Sequence, residues 1–547
     1  MEKVLELHQI IYGLFAAQIE FGTYGYKDPL PKMEDVSHWF SVSLDTVKTA
    51  YHQLKVEGYI TLTKKAGAAV AIQFQRTELE RNIETFFSLR KDAVMDLCQS
   101  FGPLFSRAQW YGLKSAGPEQ LNELERLCSQ PKILRPYVMV QHIRLIYGSL
   151  NNDLLLRLIW QAFLFYQAPF LSLPADLVAF EDSDDPLLDM ISLCRQKDWK
   201  GLWETVASCQ EQITSAINWF YADRITMEPP GEPVSFHWSA YQSTSQCCYS
   251  LAIDLLKGIR LGYFAQDGYL PSPAKIAKYE RVSTITVRRT LTLLNQLGAT
   301  RSVNGVGTYV LSMEDSTKDC DFSQPVIRKR LLDFVQSLQI LAMTCGSCAK
   351  SVGINHSAVE LWKERLAYIK DNFRYESVVY ASLEIISLFA PNQTIRKIYD
   401  QLLRVLLWGY PLRSMHGSRE KINEFYFPYV NVLLDSLERC DWDRLAAELE
   451  VGVMKLSAIQ VKFETSKYLA LKRYAAKKEV SLEQELEETL NRLYRKLVPP
   501  DVREYIEEGD EIEKTGKPKV KKEEKEPEKE QNQAEQPQDK YFSNDDQ

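Results

Sequence analysis

The 547-residue chain carries few of the marks of catalysis, export or membrane insertion. It has no Walker-type phosphate loop, no Gly-x-Ser-x-Gly elbow and no His-Glu-x-x-His pair, which leaves NTPase, serine-hydrolase and zinc-peptidase chemistry without their usual residues. Nothing after Met1-Glu2-Lys3 forms the apolar core of a signal peptide. The most apolar run, Leu154 to Leu173, is broken by Arg157, Gln161, Gln167 and Pro169, so it reads as a buried helix rather than a membrane span. Ten cysteines are scattered without a secretory leader, a pattern of reduced thiols in a cytoplasm. What remains is an ordinary composition, 45% hydrophobic and 25% charged, long enough for about four domains.

The strongest positive signal is a repeat at a constant offset of 240. Leu30-Pro31, Val42-Ser43, Thr46-Val47, Leu54, Gly58, Gly67 and Val70 recur as Leu270-Pro271, Val282-Ser283, Thr286-Val287, Leu294, Gly298, Gly307 and Val310, without a gap. Each copy reads as helix, helix, tight turn, helix and β-hairpin, the layout of a winged helix-turn-helix.

In the second copy, Leu251, Leu255 and Ile259 give a one-sided stripe for a helix over 251–262 that Gly262 closes. Ser272 is placed to cap a short helix through Tyr279, and Ser283 a third helix running up to Gly298. In that third helix Val287, Leu291 and Leu294 face the core, and Thr284, Thr286, Arg288 and Arg289 are free to reach base edges and phosphates in a major groove. Thr300–Val303 and Thr308–Leu311 flank Asn304-Gly305, which predicts a hairpin with a type I′ turn as the wing.

Charge separates the copies. The chain carries −7 overall, and residues 501–547 alone supply −7. That Lys-, Glu-, Pro- and Gln-rich tail lacks the apolar residues that ordering requires and reads as disordered. Residues 250–312 carry +5 and residues 1–74 carry −1, so the second copy is the expected stronger DNA binder.

These residues resemble the DNA-binding module of GntR-type bacterial transcription regulators. That module reads Leu-Pro-Ser-Glu-Arg-x-Leu-Ala, Val-Ser-Arg-x-Thr-Val-Arg and Gly-x-Gly-Thr-Phe-Val, and here stand Leu270-Pro-Ser-Pro-Ala-Lys-Ile-Ala277, Val282-Ser-Thr-Ile-Thr-Val-Arg288 and Gly305-Val-Gly-Thr-Tyr-Val310. Ala274 and Thr284 replace two arginines of the family pattern. The resemblance implies DNA contacts from Ser272, Lys275, Ser283, Thr284, Thr286, Arg288 and Arg289, and from Asn304, Gly305 and Gly307 of the wing. In the first copy the matching positions are Lys32, Ser43, Thr46, Lys48, Lys64 and Lys65, with Glu34 where the family has arginine.

Two long helical regions follow the modules and echo each other: Leu155-Arg-Leu-Ile-Trp-Gln-Ala-Phe-Leu164 pairs with Ile395-Arg-Lys-Ile-Tyr-Asp-Gln-Leu-Leu403. Their layout resembles FCD, the all-helical effector domain of one GntR branch. FCD domains often hold a metal on one Asp and several His, but only His142 falls near such a position, and it reads as a core histidine. Cys345-Gly-Ser-Cys348 has no second pair. Trp160, Phe163, Phe165 and Tyr166 recur at helical spacing and read as core.

The expected protein is mainly α: winged helix-turn-helix domains over 1–76 and 245–313, helical effector-like domains over 77–227 and 322–498, a Pro-rich linker over 228–244 and an acidic tail over 499–547. Its expected role is a non-enzymatic regulator. It would be a covalent pseudo-dimer on a quasi-palindromic operator in double-stranded DNA, answering to a small-molecule effector, with no cofactor, no metal and no membrane. The alternative is an interaction scaffold that keeps the winged folds without DNA binding.

Overall fold

The computed structural model describes residues 7–40, 42–63, 67–128, 135–173, 186–241, 247–260, 264, 268–311, 319–416 and 419–456. These lie within one compact unit, 1–459; a second unit, 460–547, falls outside the described residues, and so does the expected acidic tail. The protein is mainly helical, with two small two-stranded sheets among the described residues.

The first winged module has helices Leu7–Glu20, Met33–Phe40 and Leu44–Val56 and a hairpin of Ile60–Thr63 with Gly67–Val70. The second has Cys247–Arg260, Pro273–Glu280 and Thr284–Gln296, with Thr300–Val303 paired to Gly307–Val310. The same main-chain hydrogen bonds recur 240 residues apart: Leu30 N–H to Ala68 O and Leu270 N–H to Thr308 O, Val70 N–H to Asp28 O and Val310 N–H to Gly268 O. Each joins the turn before the second helix to the hairpin. Gly58 and Gly298 both end the third helix in the left-handed region, φ +83° and +74°, where a β-carbon is disfavoured.

Among the described residues, eight helices between Arg76 and Arg224 make the first helical region. It grips the first winged module with aromatic rings, Trp39 stacked on Tyr137 at 4.7 Å and Phe40 packed against Tyr137 and Trp160. The aromatic cluster of the Asp153–Tyr166 helix is thus divided: Phe163 and Tyr166 are core, Trp160 faces the winged module, and Phe165 meets Phe236. The second region runs from Pro325 to Leu456 around the 28-residue helix Pro325–Val352. That helix is long and apolar enough to cross a membrane by length and composition. Here it packs against Lys91–Lys114, Asp153–Tyr166, Val378–Phe389, Gln393–Val405 and Trp442–Leu456.

The two regions contact each other reciprocally. Asn152 donates from Nδ2 to Gln339 Oε1 at 2.9 Å, and Asn392 donates from Nδ2 to Gln99 Oε1 at 3.1 Å; both partners are displaced by 240. Asn152 also caps its own helix through Leu155 N–H. Other contacts lack a counterpart of the same kind. Asp96 accepts from the Gln393 and Thr394 N–H groups at 2.8 and 2.7 Å and so caps the helix opposite, and Arg107 pairs with Glu450 at 2.5 Å.

The segment expected as a polar linker is only partly one. Beyond the Met227–Pro233 stretch, Phe236, Trp238 and Ala240 are buried, and Tyr241 enters a polar knot. Its hydroxyl donates to Asp333 Oδ2 at 2.7 Å and accepts from Trp408 Nε1 at 2.7 Å. Arg330, 2% exposed, pairs with Asp333 at 3.1 Å beneath the faces of Tyr241, Tyr249 and Trp408, its carbon 4.9, 4.1 and 5.9 Å from the ring centroids. Burial pushes the Tyr241 pKa up, against the pull of Arg330, and keeps the hydroxyl a donor.

Candidate nucleic-acid interface

The helix Thr284–Gln296 starts where Ser283 stops the chain from being helical: its backbone is extended and its Oγ accepts from Thr286 N–H at 3.1 Å and contacts Thr286 Oγ1 at 2.9 Å. Such a cap satisfies one of the N–H groups that a helix start leaves over. Val287, Leu291 and Leu294 point into the core as expected, and Thr284, Arg288 and Arg289 are exposed on the other side. Thr286 is half-buried beside its cap. Neither Arg288 nor Arg289 forms an ion pair among the described residues. Ser272 caps the preceding helix through Lys275 N–H at 3.4 Å, with Lys275 exposed, and Arg281 ends that helix in the left-handed region at φ +54°.

The wing differs from the type I′ expectation. The strands end at Val303 and begin again at Gly307, so the loop has three residues, closed by Val306 N–H to Val303 O at 3.2 Å. Positive φ falls on Gly305 (+75°) and Gly307 (+143°), not on Asn304. A two-residue type I′ turn needs positive φ at both central residues, and here Val306 enters the loop and moves the second left-handed position to Gly307. Asn304, Gly305 and Gly307 remain exposed at the tip. The first helix spans Cys247–Arg260; its expected end at Gly262 lies outside the described residues.

The first module repeats the cap, Ser43 Oγ accepting from Thr46 N–H at 3.1 Å, yet presents different charge. Lys48 is tied to Asp45 at 3.0 Å in the first turns of the exposed helix, while Lys32 and Ser43 are exposed and Thr46 half-buried. Lys64 and Lys65 lie outside the described residues.

His142 is buried in the first helical region, and among the described residues no three His, Cys, Asp or Glu side chains gather as a metal set would. Cys345 and Cys348 are fully buried on the central helix, where burial raises both thiols, Cys348 up to about 12; protonated thiols are poor nucleophiles and poor ligands.

Residues 454–540 match a family model described as a family of unknown function (DUF6103). Comparison with curated proteins gave no match. Among solved structures, the chain is similar to Streptococcus agalactiae GntR, at 16% identity over 39% of this chain and 100% of that one, TM-score 0.18. It is also similar to a structure titled "Lar controls the expression of the Listeria monocytogenes agr system and mediates virulence", at 14% identity over 39% and 95%, TM-score 0.19. E. coli McbR/YncC follows at 16% identity over 40% and 99%, TM-score 0.20. At these TM-scores no residue of this chain takes a role from those proteins.

Sequence reading singled out the arginines but missed their setting. Ile285, Thr292 and Gln296, on the same helix face, form a groove with Cys248, Tyr249 and Val326. Val326 lies 30 residues beyond the helix, and no local signal ties it to the module.

Proposed function

We propose that the protein is a DNA-binding transcription regulator of GntR type, a covalent pseudo-dimer whose two winged modules address a quasi-palindromic operator under the control of a small-molecule effector. The observation that carries this reading is the pair Arg288 and Arg289: exposed, without ion pairs among the described residues, and held on a helix whose start is capped by Ser283. Unpaired guanidinium groups on a protruding helix are suited to phosphates and guanine edges. The reciprocal contacts Asn152–Gln339 and Asn392–Gln99 support the pseudo-dimer, because a two-fold interface requires that residue i meet j and j meet i.

The scaffold reading draws on one observation, the Lys48–Asp45 pair, which neutralises one of the basic residues the first module would offer to DNA. Titrating a short random duplex at several salt concentrations separates the two, since phosphate contacts give a steep salt dependence. Arg288→Ala and Arg289→Ala are each expected to weaken specific binding by about 1–3 kcal/mol, and Lys48→Ala by less. Sedimentation should find one chain per operator duplex. An obligate two-chain complex, or a larger loss from Lys48→Ala than from either arginine change, would overturn the arrangement; a duplex that shows no salt-dependent binding would leave the scaffold.

A further inference from the structure

The outer face of the Thr284–Gln296 helix does not open onto solvent alone. Arg288, Arg289, Thr292 and Gln296 form one wall of a groove of about 460 Å³, faced by Cys248, Tyr249 and Val326. Among the described residues no acidic side chain lines it.

The far wall adds positive potential from three sources. Cys248 and Tyr249 stand in the first turn of Cys247–Arg260 and Val326 in the first turn of Pro325–Val352, so two helix N-termini open on the groove, each the positive end of a macrodipole. Neither first turn holds an acidic residue, and Gln324 at the start of the long helix makes no side-chain capping bond, so the positive ends of both helices keep their sign at the groove. One turn along from Val326 is Arg330, buried, with Nε and Nη1 finding no hydrogen-bond partner among the described residues, and 4.1 Å from the centroid of the same Tyr249 ring that lines the groove. Burial raises the Cys248 thiol, and Arg289 and Arg330 both pull it down, so both charges are felt at the groove wall.

Buried donors without acceptors are costly, and here they accompany two arginines that form no ion pair among the described residues, two helix starts and an apolar patch of Tyr249 and Val326. We propose that this groove binds a small organic anion, a carboxylate or phosphate head on a compact apolar body, and that the anion and DNA exclude each other because both engage Arg288 and Arg289. The exclusion rests on the DNA-binding reading above; the anion site does not.

The test uses the full chain with phenyl phosphate and benzoate as probes and phenol as the uncharged control, by titration calorimetry without DNA. One anionic probe should bind at a single site while phenol does not, and the probe that binds identifies the head group. Arg289→Gln, an exposed change, and Val326→Trp, which fills the groove, should each abolish the heat. With the probe at ten times its Kd, duplex affinity should fall roughly tenfold, beyond the effect of sodium sulfate at equal ionic strength. Silence from both anions, or binding that survives both substitutions, overturns the site. Probe binding that leaves duplex affinity untouched overturns the exclusion. A chain that binds the probe but no DNA removes the proposed function and leaves the groove standing.

Discussion

Replacing Arg330 by methionine is expected to destabilise the protein by about 3–5 kcal/mol. The guanidinium is buried against Asp333 at 3.1 Å, and with it gone the buried Asp333 carboxylate keeps, among the described residues, only the Tyr241 hydroxyl as a donor. Methionine fills much of the volume and can pack on Tyr249 and Trp408, so the loss is chiefly that of the stranded charge rather than of packing. Adding Asp333→Asn to the methionine variant should therefore restore part of the stability, because an amide still accepts from Tyr241 and carries no charge. Urea unfolding of the three variants beside the parent measures it. A loss of less than about 1 kcal/mol in the single variant, or a double variant worse than the single, would contradict the assignment of a buried, mutually dependent pair.

Gly112→Ala is the second large effect. A β-carbon there would sit 2.3 Å from the Ile146 carbonyl oxygen and 2.9 Å from its carbon. Those atoms are backbone, and Ser149 fixes them further by donating to Ile146 O at 2.7 Å. Nothing flexible can give way, so the Lys91–Lys114 and Arg135–Gly148 helices must separate, at a cost of about 3 kcal/mol. Gly346→Ala is the informative comparison. Its β-carbon would meet the Glu450 carboxylate tip at 2.0 Å, a side chain that can swing aside if it releases Arg107. The denaturation midpoint should therefore drop further for Gly112→Ala than for Gly346→Ala; the reverse order would count against backbone contact as the deciding difference.

Local signals carried the winged modules in the sequence. Ser272 and Ser283 cap where their positions say they should, the stripe of Val287, Leu291 and Leu294 is buried, and the offset of 240 recurs in hairpin hydrogen bonds. The wing turn was misread for an equally local reason. Asn304-Gly305 is a strong two-residue signal, but Gly307, two residues on, supplies a second left-handed position and lets the loop take Val306 as well. Everything missed outright is non-local. Phe236 and Trp238 sit in a Pro-rich context that reads as linker, yet both are buried, Phe236 against Phe165 from a distant helix. Arg330 looks like an exposed helix charge until Asp333 of its own helix pairs with it and Tyr241, Tyr249 and Trp408 converge on it from three further segments. Asp96 capping a helix almost 300 residues away has no trace in its own neighbourhood.

The contacts between the helical regions have a consequence for how such a molecule behaves when scarce. Two separate subunits meet by collision, so their pairing fades as copies become few. Asn152 with Gln339 and Asn392 with Gln99 belong to one polypeptide, so each surface sees its mate at an effective concentration set by chain length alone. Dilution does not part them. The same tether removes the demand that both surfaces stay identical: Asp96 can cap a helix opposite without an aspartate at the matching place, Gln336. In the proposed pseudo-dimer, each half would be inherited with its partner and be free to become different from it.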